Sequence, residues 1–150
     1  MRNLNKYIVL FFLSSLIITM FIGCTKKDPK GTFDIEQFTN EMKAKNYDFE
    51  VQDVENVDDF LSKTKKRMVI GKDALEIYLY NNNEKMEDDA KNINMNGFGY
   101  SDGNKSMVID WISYPHFYKK GNIIVLYVGE NEKIISDLND IMGDQFIGDK

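Results

Sequence analysis

The chain is 150 residues long, 43% hydrophobic and 13% aromatic, with 19 basic against 24 acidic side chains and a formal charge of −5. Its length fits one domain behind a leader, and its aromatic content is enough for a packed core rather than a disordered chain. So acidic a body has no electrostatic basis for holding nucleic acid, whose binding rests on neutralised phosphates.

Arg2 and Lys6 precede an uncharged apolar run, residues 7–22, that stops at Gly23-Cys24. This is the pattern of an export signal whose charged front stays on the cytoplasmic side. Phe21-Ile22-Gly23-Cys24 resembles a bacterial lipobox, in which a small residue precedes the cysteine that becomes the mature N-terminus; Phe21 stands where the usual residue is Leu. The resemblance implies a diacylglycerol thioether on Cys24, a palmitate-type anchor to the outer face of the cell membrane. Two other readings compete. A spanning helix needs about 20 apolar residues, and residues 7–25 carry no charge, so an uncleaved signal anchor is one. A free buried thiol is the other, although Cys24 sits between a signal and a polar stretch rather than in a core pattern.

Cys24 is the only cysteine, so no disulfide can form within the chain. Loss of residues 1–23 takes away Arg2 and Lys6 and no acid, leaving 17 basic against 24 acidic side chains, a charge of −7. Lys26, Lys27 and Lys30 would meet anionic headgroups, while the acidic body is repelled by them. The expected organisation is a signal peptide, 1–23, then the lipidated cysteine and a tether, 24–32, then one extracytoplasmic domain, 33–150. Eight tether residues reach about 26 Å at about 3.3 Å each.

Asp34 is placed to cap a first helix, with Gln37 in capping-box position and Ile35, Phe38 and Met42 on one face. Tyr47, Phe49 and Val51 then alternate with polar residues, the period of a strand with one wet face. Val57, Phe60 and Leu61 are packing points in an irregular stretch. Residues 67–70 and 74–80 read as a hairpin turning at Gly71-Lys72-Asp73. A helix over residues 83–93 follows, with Met86, Ala90 and Ile93 inward. After a glycine-containing loop, 94–105, residues 107–114 and 123–128 read as a second hairpin, turning near Lys119-Lys120-Gly121-Asn122. The unbroken apolar run 123–128 predicts a central strand covered on both faces. The last helix starts at the cap Asn131 and stops at Gly143, with Ile134, Ile135, Leu138, Ile141 and Met142 as its stripe.

A short likeness at a shift of 48 residues sets 80–86 over 128–134, and is open to reading as either duplication or shared cap chemistry. The predicted order is α-β-ββα-ββα, which implies an α+β, two-layer domain with an antiparallel sheet of about five strands and helices on one face.

Residues 111–118, WISYPHFY, hold the only Trp and the only His of the chain. Pro115 cannot donate a ladder hydrogen bond and should mark a bulge, bend or edge. Trp111, Tyr114, His116, Phe117 and Tyr118 are therefore a candidate binding patch for an envelope protein, a peptide or a glycan. The competing and favoured reading is a core aromatic cluster with His116 bonded to a carbonyl. Trp111, Pro115-His116-Phe117-Tyr118, the run from Ile124 to Gly129 and Gly143-Asp144-Gln145-Phe146 resemble the C-terminal half of a family of small bacterial lipoproteins. That resemblance implies a shared fold and export route, and no reaction.

Enzyme signatures are otherwise lacking: there is no G-x-S-x-G or H-E-x-x-H, and one His does not make a usual zinc site. No metal or other cofactor is expected. Glu76 and Asp110 are the carboxylates that could stand near His116. Lys63, Lys65, Lys66 and Arg67 form the one basic cluster of the body, read as a solvated loop. The expected function is a lipid-anchored binding or interaction module; the alternative is a small envelope enzyme using His116 with a carboxylate.

Overall fold

The computed structural model describes residues 33–55, 61 and 64–148. The signal, Cys24, the tether and the packing points Val57 and Phe60 lie outside the described residues. Among those described are helices α1 (Ile35–Ala44), α2 (Asn83–Ala90) and α3 (Glu132–Met142), and strands β1 (Glu50–Val54), β2 (Lys65–Ile70), β3 (Asp73–Leu79), β4 (Gly99–Ser101), β5 (Ser106–Val108), β6 (Pro115–Lys120) and β7 (Ile123–Val128). Five of the strands form one antiparallel sheet in the order β1-β2-β3-β7-β6, while β4 pairs with β5 and, through Tyr100, bridges Ile93. The fold is α+β, as the pattern predicts.

Helix α1 forms where its cap chemistry starts it. The Asp34 carboxylate accepts from the amides of Glu36 and Gln37, and the Gln37 side chain accepts from the Asp34 amide. Asn82 and Asn131 cap α2 and α3 with the same side-chain chemistry. Both sheet hairpins turn on two residues, Gly71-Lys72 and Gly121-Asn122, whose glycines take φ of 58° and 59°. At Gly121 the freedom is required twice over, because a Cβ there would run into the Phe33 carbonyl.

Helices lie on both faces of the sheet, where the sequence pattern predicts one. Leu75, Ile77, Val125, Tyr127 and Tyr118 pack with Phe38 and Met42 of α1 and with Ile134, Leu138 and Ile141 of α3. The alternate residues Tyr78, Ile124, Leu126 and Phe117 pack with Met86 and Ala90 of α2 and with Ile93 and Tyr100. The reason is the strand period of two: β3 and β7 carry apolar side chains on both sides, and each face needs cover. The two hairpin-helix units put their helices on opposite faces, and each helix starts at an asparagine cap, Asn82 or Asn131.

The second hairpin also differs. The partner of β7 is residues 115–120, not 107–114, with Phe117 opposite Leu126. Pro115 is the first residue of the strand, buried, where a missing N–H breaks no ladder. Residues 106–108 pair instead with residues 99–101, inside the expected loop. The outer edge of β6 is covered by the C-terminal segment, through Phe117 N–H to Ile147 O at 3.0 Å and Phe146 N–H to Phe117 O at 2.9 Å.

Candidate functional site

Helix α2 and the 99–112 segment cover only part of the second face. Between them and the outer strands lies a cleft of about 520 Å³, floored by Lys65, Arg67, Ala74, Glu76 and Tyr78 and walled by Met107, Ile109, Asp110, Trp111 and Ile112. Its size is within the range of small-molecule sites, and its lining mixes apolar surface with a few charges.

The floor follows from the β2–β3 register. A two-residue turn at 71–72 sets Arg67 opposite Glu76 and Lys65 opposite Tyr78 on one face. Arg67 Nε donates to Glu76 Oε1 at 2.6 Å, and its Nη2 meets the same oxygen at 2.5 Å. Lys65 Nζ stands 3.4 Å from Glu76 Oε2 and 5.7 Å from the centre of the Tyr78 ring. Glu76 Oε2 is buried and accepts no hydrogen bond among the described residues, so Lys65 offsets its charge without a well-directed bond. The basic cluster is thus not a loop. Lys65 and Arg67 point to the cleft face of β2, Lys66 pairs with Asp53 on β1, and Lys63 lies outside the described residues.

The wall is held from behind. Tyr100 and Tyr80 both donate to Asp89 on α2, at 2.6 and 2.7 Å. Burial, together with the Asp89 bond, pushes the Tyr100 hydroxyl far above its ordinary value, so it stays a donor. The amide of Ile109 donates to Phe98 O at 2.9 Å, and Trp111 Nε1 donates to Gly97 O at 2.8 Å. The indole edge meets the Phe117 ring, centres 6.4 Å apart, which seats the wall on the sheet.

The five residues of the aromatic segment do not converge on one place. Trp111 lines the cleft. Phe117 lies fully buried under it in the same cluster, and Tyr118 points through the opposite face into the other core. Tyr114 is 51% exposed and Ile112 is 99% exposed. His116 is 8% exposed; its Nδ1 lies 2.8 Å from Gln145 Oε1 and its Nε2 lies 3.1 Å from Gly129 O. A carbonyl only accepts, so Nε2 carries a proton, and the Gln145 amide supplies whichever partner Nδ1 needs by its orientation. Neither partner is a carboxylate. Glu76 and Asp110 instead line the cleft on the other side of the sheet.

Among the described residues no cluster of His, Cys, Asp and Glu could hold a metal ion, and no helix is long and apolar enough to cross a membrane. Comparison with family models, with curated proteins and with solved structures finds no match to this chain.

The sequence expectation names Lys65 and Arg67 only as a solvated loop and Glu76 only as a neighbour of His116, and does not bring the three together. The signal that would find them is the turn length: read as two residues rather than three, it places Arg67 against Glu76 without further information.

Proposed function

We propose that the protein is a lipid-anchored module of the outer face of the cell membrane that binds a ligand in the cleft beside Trp111. The observation that carries the binding role is this cleft: an open space of ligand size, with a rigid charged floor and an indole in its wall. The location rests on the leader, residues 1–22, and on Gly23-Cys24.

Phe33, the first described residue, accepts a hydrogen bond at 2.8 Å from the amide of Asn122 in the β6–β7 turn. Lys72 and Val128 line the cleft at the other end of the strands, about 17 Å along a six-residue strand, while Lys65 and Tyr78 line it nearer the Asn122 end. The cleft thus runs along the strands of the second face, from the end where Phe33 meets Asn122 to the Lys72 turn.

Intact-mass analysis of the protein extracted from membranes should give a chain that begins at a lipid-modified Cys24, and Cys24→Ala should block that processing. Retention of residues 1–23 in the wild type means a signal anchor and overturns the lipoprotein reading. For the binding role, a thermal-shift screen of small molecules should yield compounds that raise the melting temperature, since binding to the native state stabilises it. Hits unaffected by Ile112→Ser, a change at an exposed position of the wall, would place binding elsewhere.

A further inference from the structure

Resting on the cleft as the binding site, we infer that its ligand is an amphipathic anion, with a carboxylate or like group at Arg67 and Lys72 and an apolar portion along Met107, Ile109 and Ile112. Three cations border the cleft on a chain whose net charge is negative. Lys72, in the β2–β3 turn, makes no ion pair among the described residues. Arg67 spends Nε and Nη2 on one oxygen of Glu76, which leaves its Nη1 amino group unbonded among the described residues. Three acids stand against these cations, and each is limited. Glu76 is shared between Lys65 and Arg67. Asp73 has both oxygens bonded, by Tyr127 Oη and Asn131 Nδ2, each at 3.0 Å. Asp110 alone has no ion pair or side-chain hydrogen bond among the described residues, and it stands on the wall rather than the floor.

An anion at the mouth would meet Arg67 and Lys72 together, and a guanidinium held from behind by a buried carboxylate loses little freedom when it binds. Within a cleft, low-dielectric walls focus that field where a flat surface would let it dissipate. The apolar portion is required by the wall, where Ile112 is fully exposed beside Met107 and Trp111 and gains burial only from an occupant. A small inorganic anion would leave that surface wet.

Trp111 is the only tryptophan and lines the cleft, so its emission reports occupancy directly. The probes are octanoate, 1-octanol and octylamine, which share a chain and differ in charge, titrated into the full-length protein in nanodiscs with empty nanodiscs as the reference for partitioning. Octanoate should give a saturable change, bind more tightly than the alcohol and far more tightly than the amine, and weaken as salt is raised. Lys72→Gln should weaken octanoate by about two- to fivefold, the worth of one exposed ion pair, and leave octanol unchanged. Ile112→Ser should weaken both. Equal binding of all three probes, or insensitivity to Lys72→Gln, overturns the anion preference while leaving the cleft as the site. No change with any probe also overturns the inference, and the thermal-shift screen then decides separately whether the binding role stands.

Discussion

His116 shows how one buried side chain can be engaged without being active. Its imidazole links Gly129, at the end of β7, to Gln145, in the segment that seals the β6 edge, and it lies against the Tyr127 ring. Loss of one such link costs on the order of 1 kcal/mol. His116→Ala should therefore lower stability by about that amount and leave octanoate binding at Trp111 unaltered, as chemical denaturation and the fluorescence titration will measure on one preparation. Lost binding at unchanged stability would return His116 to a functional role.

Asp137 makes the larger claim on pH dependence. Burial raises its carboxyl, but hydrogen bonds from Lys133, Tyr47 and Lys45 outweigh that and hold it below the ordinary carboxylate value. A folded-state value below the unfolded one contributes stability that is complete above the unfolded value and is lost as pH falls through the folded one. Denaturation midpoints should thus decline below about pH 4, the ordinary carboxylate range. Asp137→Asn should flatten that acid limb and lower stability at neutral pH; an unchanged limb would assign the acid sensitivity to other carboxylates.

At the scale of elements, β6 carries the strongest test of the packing. Phe117 touches Trp111 on one side and Phe146 on another, at ring distances of 6.4 and 6.3 Å, and is fully buried. Phe117→Ala should cost about 3–5 kcal/mol, the range for emptying a large buried site. Trp111 is only half-buried, so Trp111→Ala should cost less and should remove the indole from the apolar wall of the cleft. Equal losses for the two, in urea unfolding, would mean that the indole is core rather than wall. The capped helices belong to this scale too: Asp34 with Gln37, and Asn131 with Gly143, mark helix boundaries in the sequence because cap chemistry is local.

For the whole molecule, two clusters on opposite sheet faces, drawn from residues between Phe33 and Ile147, hold the described body together. A fragment of residues 33–150 should therefore unfold in one cooperative transition and should not bind neutral vesicles. Aggregation of this fragment, or its sedimentation with such vesicles, would reveal a membrane face on the body. The exposed Val108 and Ile112 are the first positions to change in that event.

Local chemistry explains what could be read from the sequence alone. Helix starts at Asp34, near Asn83 and at Asn131, the hairpin glycines Gly71 and Gly121, the doubly covered strand at 123–128 and the α+β class all depend on neighbours within a few residues. Tertiary structure decided the rest, because it depends on pairing over distance. Whether 107–114 or 115–120 lies beside β7 turned on where Pro115 is tolerated, and the face taken by α2 turned on which side of β3 and β7 was still uncovered. The cleft is the outcome of both choices. Lys65, Arg67 and Glu76 share one strand face by register, but they border a cavity only because a wall built from 107–112 closes over part of that face and leaves the remainder open.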